Sequence, residues 1–363
     1  MHVPRPQRPI GSSPQVHRPR AVVAIAGVVA VTAVLSACGT ADDSTTPDVP
    51  TVTPATAPAA LPGPAAQPAG LVVPTAPESR AMVVGDGTVA VLDAAGTSVL
   101  RYTTADPGAE PQVSETPELT QIVSADDGEF VGVGPGSVAR IGRDGTVETA
   151  ALDVDDPTAL ARTASGDLLV GTADGRVLVV DDELAGSDDE LVPGQVIDGF
   201  VRVDDITVSP PDADLPEEQV VVLDRAQSSV TPVTVSDGDL GPALRAGNGA
   251  TNAAVDRFGR VLVANTRDDE IVGFFGSPLV MRFRYPVPGG PYAVDYDDER
   301  NLMWVSTTAN NEVVAYDLSG GEPVEKRRVP TVAQPDSIAV DDASGTLYVL
   351  SERGGLQVIG VGG

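Results

Sequence analysis

The chain has 363 residues, with 23 basic against 52 acidic side chains and a formal net charge of −29. That balance argues against a nucleic-acid partner, whose phosphates would be repelled, and against the folded part lying on an anionic bilayer. The two histidines, His2 and His17, and the one cysteine, Cys38, all come early in the chain. Everything after Cys38 therefore lacks the parts for a Ser-His-Asp or Cys-His nucleophile, a His/Cys zinc site or histidine acid–base catalysis.

The first element is an export signal. Met1 to Arg20 carries Arg5, Arg8, Arg18 and Arg20 and no acids, and Ala21 to Ala37 is apolar. A basic n-region, an apolar h-region and small residues before a cut make up that layout. The apolar run of about 17 residues is at the short edge for a membrane-spanning helix. Pro19 separates Arg18 from Arg20, so there is no twin-arginine pair. The run Leu35-Ser36-Ala37-Cys38 resembles the lipobox of bacterial lipoproteins. The resemblance implies that 1–37 is removed as a signal peptide, that the Cys38 thiol receives a diacylglycerol, and that the new amino terminus is often acylated too. Each buried CH₂ contributes about 0.8 kcal/mol, so two or more chains anchor stably where one is marginal. The expected location is the extracytoplasmic face of the cell membrane. The competing readings are a true transmembrane anchor and a plain secretory signal with a chance cysteine. Removal of the four signal arginines leaves 19 basic against 52 acidic residues, without histidine or free thiol.

Residues 38–78 are rich in Pro, Ala and Thr, as in Thr51-Val52-Thr53-Pro54-Ala55-Thr56-Ala57-Pro58. Such a composition buries too little apolar surface to fold alone, so a lipidated, disordered linker is expected there. Its mean span would be about 35 Å. Leu71-Val72-Val73 is its one apolar patch.

From about Ser79 to Gly363 short apolar runs alternate with Gly, Asp and Asn turns, and no helix-length stripe of period 3.6 appears. This predicts an all-β fold. Internal repetition narrows it. Pro335-Asp336-Ser337-Ile338-Ala339-Val340-Asp341 precedes Gly345 and Leu347-Tyr348-Val349. Pro291-Tyr292-Ala293-Val294-Asp295, Thr251-Asn252-Ala253-Ala254-Val255-Asp256 and Pro157-Thr158-Ala159-Leu160 open similar blocks. Weaker copies start near Arg80, Leu119 and Asp205. A spacing of about 40–50 residues is that of one four-stranded propeller blade. The prediction is a β-propeller, seven-bladed, over 79–363. Its last block lacks an outer strand, which Leu71-Val72-Val73 is placed to supply. A ring closed in this way leaves no long free edge.

The blocks resemble the YVTN/NHL-type propellers, through Ser337-Ile338-Ala339-Val340-Asp341 with Leu347-Tyr348-Val349 and through Val261-Leu262-Val263-Ala264-Asn265. The whole chain is similar to the YncE-like propeller lipoproteins of actinobacteria. No Trp-Asp dipeptide ends a block, which separates it from the WD40 pattern. The resemblance implies a fold and leaves the activity open, since one propeller fold hosts many functions.

The channel mouth is the default ligand site of such a ring. Residues flanking the inner strands are the candidates: Arg202, Asp205, Asn252, Asn265, Arg267 and Tyr292. Met281-Arg282-Phe283-Arg284-Tyr285 puts Arg282 and Arg284 on one strand face, a candidate contact for an anionic or sugar-bearing partner. Eight aromatics, Phe274, Phe275, Phe283, Tyr285, Tyr292, Tyr296, Trp304 and Tyr316, crowd the fifth and sixth blocks, for which packing between blades is the competing explanation. Acid clusters at Asp153–Asp156, Asp181–Glu183, Asp188–Glu190 and Asp295–Glu299 do not reproduce a calcium loop. The expected function is a non-enzymatic binding or scaffold module for a protein, a wall glycan or a small ligand, with no catalytic residue and no cofactor. The alternative is a Ca²⁺-assisted hydrolase or lactonase using channel carboxylates and Asn. A third reading is a solute-binding accessory to a transporter.

Overall fold

Seven sheets succeed one another along the chain, each with its strands ordered from an inner to an outer position and antiparallel apart from one added strand. The computed structural model describes residues 50–63, 66–181 and 190–360, all within one compact unit. The expected signal peptide, 1–37, and the expected lipobox residues Leu35, Ser36, Ala37 and Cys38 lie outside the described residues. No described helix is long and apolar enough to cross a membrane.

The inner strands are Ala81–Gly85, Gln121–Ser124, Pro157–Arg162, Asp205–Val208, Ala250–Val255, Pro291–Asp297 and Pro335–Asp341, defining blades 1 to 7. Each neighbours the next, and the first neighbours the last, so they enclose a channel. The protein is an all-β, seven-bladed propeller. Blade 7 takes its outer strand from Leu71–Val73, with Leu71 opposite Val358 and Val73 opposite Leu356. The two ends of the fold are thereby joined in one sheet.

The second strand of each blade explains the unbroken apolar runs. Successive side chains point to opposite faces, and both faces meet a neighbouring blade. Val89 and Val91 pack toward blade 7 with Tyr348 and Leu350, while Ala90 and Leu92 pack toward blade 2 with Leu119 and Phe130. Met303 and Val305 face blade 5, and Trp304 faces blade 7. Burial of one such Val, Leu or Met contributes about 1.5–3 kcal/mol. The aromatics of blades 5 and 6 serve this packing. Phe274, Tyr296, Trp304 and Tyr316 are buried between blades, and Tyr285 meets Tyr316 edge-on with centroids 5.5 Å apart.

Two blades depart from the simple pattern. Blade 2 gains a fifth strand, Glu190–Leu191, parallel to Val147–Leu152. Blade 4 has its outer strand split into Asp239–Leu240 and Leu244–Arg245, both paired to Ser229–Thr234.

The inner strand of blade 6 runs past Asp295 to Asp297, which is fully buried. Asp297 accepts the Arg300 amide at 2.9 Å and so closes the turn, as Asp256 does for Phe258 and Arg260 in blade 5. The expected disordered linker over 38–78 does not describe residues 50–63 and 66–78. The Val52 amide donates to Ala226 O at 2.7 Å, Leu61 to Ala309 O at 2.8 Å and Ala69 to Pro330 O at 3.1 Å. The segment cannot fold alone, but the ring supplies the partners its own residues lack.

Candidate functional site

Strand direction alternates within a blade. The turns between second and third strands therefore share one face of the ring with the connections from each outer strand to the next inner strand. The mouth of the channel on that face is where the candidate residues converge. Four inner strands begin there with a shift of register: between Pro157 and Ala159, Ala250 and Ala253, Pro291 and Val294, and Pro335 and Ser337. A bulge re-aims the side chain of its extra residue. The residues inside these shifts are Thr158, Asn252 with Thr251, Tyr292 with Ala293, and Asp336.

Asn252, Tyr292 and Asp336 line one polar cavity of about 300 Å³ together with Asp205, Arg80 and Gln121. Asn252 donates through Nδ2 to Tyr292 O at 2.9 Å, which ties blade 5 to blade 6. Asp205 accepts the Ile206 amide at 2.9 Å and, from blade 5, the Ala253 amide at 3.0 Å. Arg80 reaches from blade 1 to blade 2, donating to Leu119 O at 2.9 Å and Glu118 Oε1 at 3.1 Å. Asp336 differs from these, because its Oδ1 is buried without a hydrogen-bond partner. Burial, helped by the nearby Glu352 charge, pushes its carboxyl up to about 7.

Below the mouth the channel holds a second cavity of about 440 Å³, lined by Met82, Asp205, Thr207, Asp295, Asp298 and Asp342 among others. Burial raises Asp205 to about 6, Asp295 to about 7 and Asp298 to about 6. Asp295 accepts the Tyr296 amide at 2.9 Å and the Val340 amide of blade 7 at 2.8 Å. At the opposite rim the same step repeats from blade to blade. The Arg257 amide donates to Asp298 at 2.7 Å, and the Asp298 amide to Asp342 at 2.8 Å. These carboxylates are engaged in joining blades. Among the described residues no group of three or more His, Cys, Asp or Glu is placed to hold a metal ion.

The structure divides the candidates named from the sequence. Asp205, Asn252 and Tyr292 share the mouth cavity. Arg202 is paired with Asp204 at 2.8 Å in the connection leading into blade 4. Asn265 is fully buried. It accepts the Gly249 amide at 3.0 Å and donates to Asp268 at 2.8 Å, a turn brace with no free group. Arg267 donates to Asn248 O at 2.8 Å and to Thr53 O of the amino-terminal segment. Arg282 and Arg284 share an exposed face of the outer strand of blade 5, as alternation requires. Arg284 is spent on Glu270, and Arg282 lies over the Phe275 ring at 5.9 Å. Sequence reasoning missed Asp336, Asp295 and Arg80. The signal for Asp336 was present, because it follows Pro335 as Tyr292 follows Pro291 and Thr158 follows Pro157.

No protein-family model matches the sequence, and no curated protein does. Solved structures of the same fold are numerous. A streptogramin B lyase is 11% identical with a TM-score of 0.63, covering 81% of this chain and 96% of that one. A catalytically inactive histidine-to-alanine variant of virginiamycin B lyase from Staphylococcus aureus, solved with quinupristin, is 14% identical with a TM-score of 0.60 over 80% and 99% of the two chains. The Cps50 (Swd1) β-propeller domain of Myceliophteria thermophila is 11% identical with a TM-score of 0.64 over 80% and 98%. At such identities the likeness is one of fold.

Proposed function

We propose that this chain is an extracytoplasmic lipoprotein, anchored through Cys38, whose propeller is a binding module with its ligand site at the channel mouth. The carrying observation is the convergence of Asp205, Asn252, Tyr292 and Asp336, from four successive blades, on one polar cavity. An unpaired buried carboxylate oxygen on Asp336 calls for a hydrogen-bond donor, so the ligand chemistry is that of a hydroxyl-rich or cationic group, as on a wall glycan. The block cadence of YVTN/NHL type and the run Leu35-Ser36-Ala37-Cys38 support the YncE-like lipoprotein reading.

The lyase fold-likeness supports no shared chemistry. The Staphylococcus aureus lyase is inactive when one histidine is replaced by alanine, whereas the histidines of this chain are His2 and His17 alone. The channel carboxylates of this chain are engaged with backbone amides of the next blade.

Two measurements test the reading. Cys38→Ala is expected to release the protein from the membrane fraction and abolish lipid labelling, and retention would point to a true transmembrane anchor. Wall-derived oligosaccharides are expected to raise the thermal midpoint of the wild-type chain and not of the Asn252→Ala/Asp336→Ala variant. An equal rise in both would remove the mouth from consideration.

A further inference from the structure

The segment 51–61 lies across the ring in the manner of a bound peptide. It crosses the face that carries the channel mouth, passing from blade 4 to blade 7. Val52 donates to Ala226 O in blade 4, and Arg225 donates to Ala55 O. Arg267 of blade 5 donates to Thr53 O. Leu61 donates to Ala309 O in blade 6. Residues 51–60 have no regular secondary structure, and the partners of their hydrogen bonds are on the blades.

Gln334 is the most specific of these contacts. Its Oε1 accepts the Ala60 amide at 2.7 Å while its Nε2 donates to Pro58 O at 2.9 Å. One side-chain amide thus reads both polarities of a single stretch of backbone, as a neighbouring strand would. Gln334 is only 3% exposed and sits at a φ of +55°, a region that a long side chain enters at a cost. It is held there by Asn311, whose Oδ1 accepts the Gln334 amide at 2.8 Å.

The groove is shaped as well as polar. Ala55 is 3% exposed, and a Cβ at Gly249 would come within 3.2 Å of the Ala55 Cβ. A Cβ at Gly290 would fall 2.6 Å from Pro58 Cγ. Glycine at these two places makes room for the occupant. Among the described residues every polar contact goes to a backbone atom of the segment, so recognition falls on an extended chain with small residues and prolines rather than on particular side chains. Proline-rich segments suit such a site because little chain entropy is lost on binding.

We infer that the face spanning blades 4 to 7 is a recognition groove for extended Pro/Ala-rich peptide, kept filled by residues 51–61 of the same chain. The partner it fits is a segment of that composition on another protein. The groove uses none of the residues that line the channel-mouth cavity, so it stands or falls independently of that site.

The test uses the full-length chain with residues 51–61 replaced by a Gly/Ser segment of equal length. A labelled synthetic peptide comprising residues 50–63 is the probe. Saturable binding by anisotropy is expected, at least about tenfold tighter than to the wild-type chain, whose own segment competes at high effective concentration. Adding Gln334→Asn should weaken it by at least about tenfold. Asparagine tolerates the positive φ but is one methylene too short to reach. Absence of probe binding to a replaced chain with wild-type circular dichroism overturns the inference, as does binding indifferent to Gln334→Asn. Should the replaced chain not fold, hydrogen exchange on the otherwise unaltered protein decides. Gln334→Asn should speed exchange at Ala60 and Leu61 by at least about tenfold while second-strand amides stay protected, and unchanged protection at Ala60 overturns the inference.

Discussion

The Asp295 carboxylate accepts the Val340 amide at 2.8 Å across the boundary between blades 6 and 7, and its other oxygen accepts the Tyr296 amide at 2.9 Å. A channel-facing acid that looks available for chemistry is thus an inter-blade tie. Asp295→Ala would leave the Val340 amide without its acceptor, at a cost of about 1–3 kcal/mol. Asp295→Asn retains one acceptor oxygen for the two donors and should cost less. Denaturant titration of the three proteins checks the order, and an unchanged midpoint for Asp295→Ala would contradict the assigned role.

Stability should rise as the pH falls from about 8 to about 5. Burial raises Asp205 to about 6, Asp295 to about 7 and Asp336 to about 7 from an ordinary 3.8. Between those values the native state binds more protons than the unfolded chain, so its stability is greatest on the acid side and is lost as the pH climbs through 6 to 7. Asp317, held down to about 2 mainly by its Ser319 hydrogen bonds, acts in the opposite sense but only below its ordinary value. A thermal midpoint that is flat or higher at pH 8 would refute this, and Asp295→Asn should shrink the pH dependence.

Trp304 is fully buried at the interface of blades 6 and 7, and its indole Nε1 has no hydrogen-bond partner. Trp304→Ala should cost about 3–5 kcal/mol. Trp304→Phe loses volume but also removes the unsatisfied donor, and should cost well under half as much. A loss for Trp304→Phe as large as that for Trp304→Ala in unfolding experiments would contradict this expectation.

A chain beginning at Ser79 would lack Leu71–Val73 and so expose the Leu356–Gly360 edge of blade 7. Unpaired strand edges invite pairing with other chains. The truncated protein should melt lower and self-associate with rising concentration by light scattering. A monomer with an unshifted midpoint would show that this strand is dispensable for closure.

The expression of surface charge is a weaker matter. Arg284 faces Glu270 from a half-exposed position, and Arg284→Ala should shift stability by no more than about 1 kcal/mol. It should leave oligosaccharide and peptide binding unchanged. A larger effect on either would restore Arg284 as a contact residue.

Much of the fold was legible in the sequence because a blade is a local unit. Alternation in runs such as Met303-Trp304-Val305 reports that both faces of a strand are covered, and the Gly, Asp and Asn turns mark where it reverses. The block starts near 157, 205, 251, 291 and 335 coincide with the inner strands to within one residue. Only part of the candidate site was legible. Asn265 and Arg267 sit beside the right strands, but whether a polar side chain near a strand end faces a channel, a turn or another segment depends on the bulges and on what crosses the face.

Local pattern by itself determined the repeat, its strand order and the apolar faces, because these follow from nearest neighbours along the chain. Tertiary structure alone decided the fate of residues separated by hundreds of positions. Composition assigns Pro58 to a solvated linker, yet Gln334 holds it 276 positions away. Asp205 and Asp336 meet at one cavity only because the ring closes. The physical reason is that a polar, proline-rich segment carries no apolar periodicity to announce where it binds. Its partners are backbone-reading groups on four blades, and those exist as a surface only after the blades have packed.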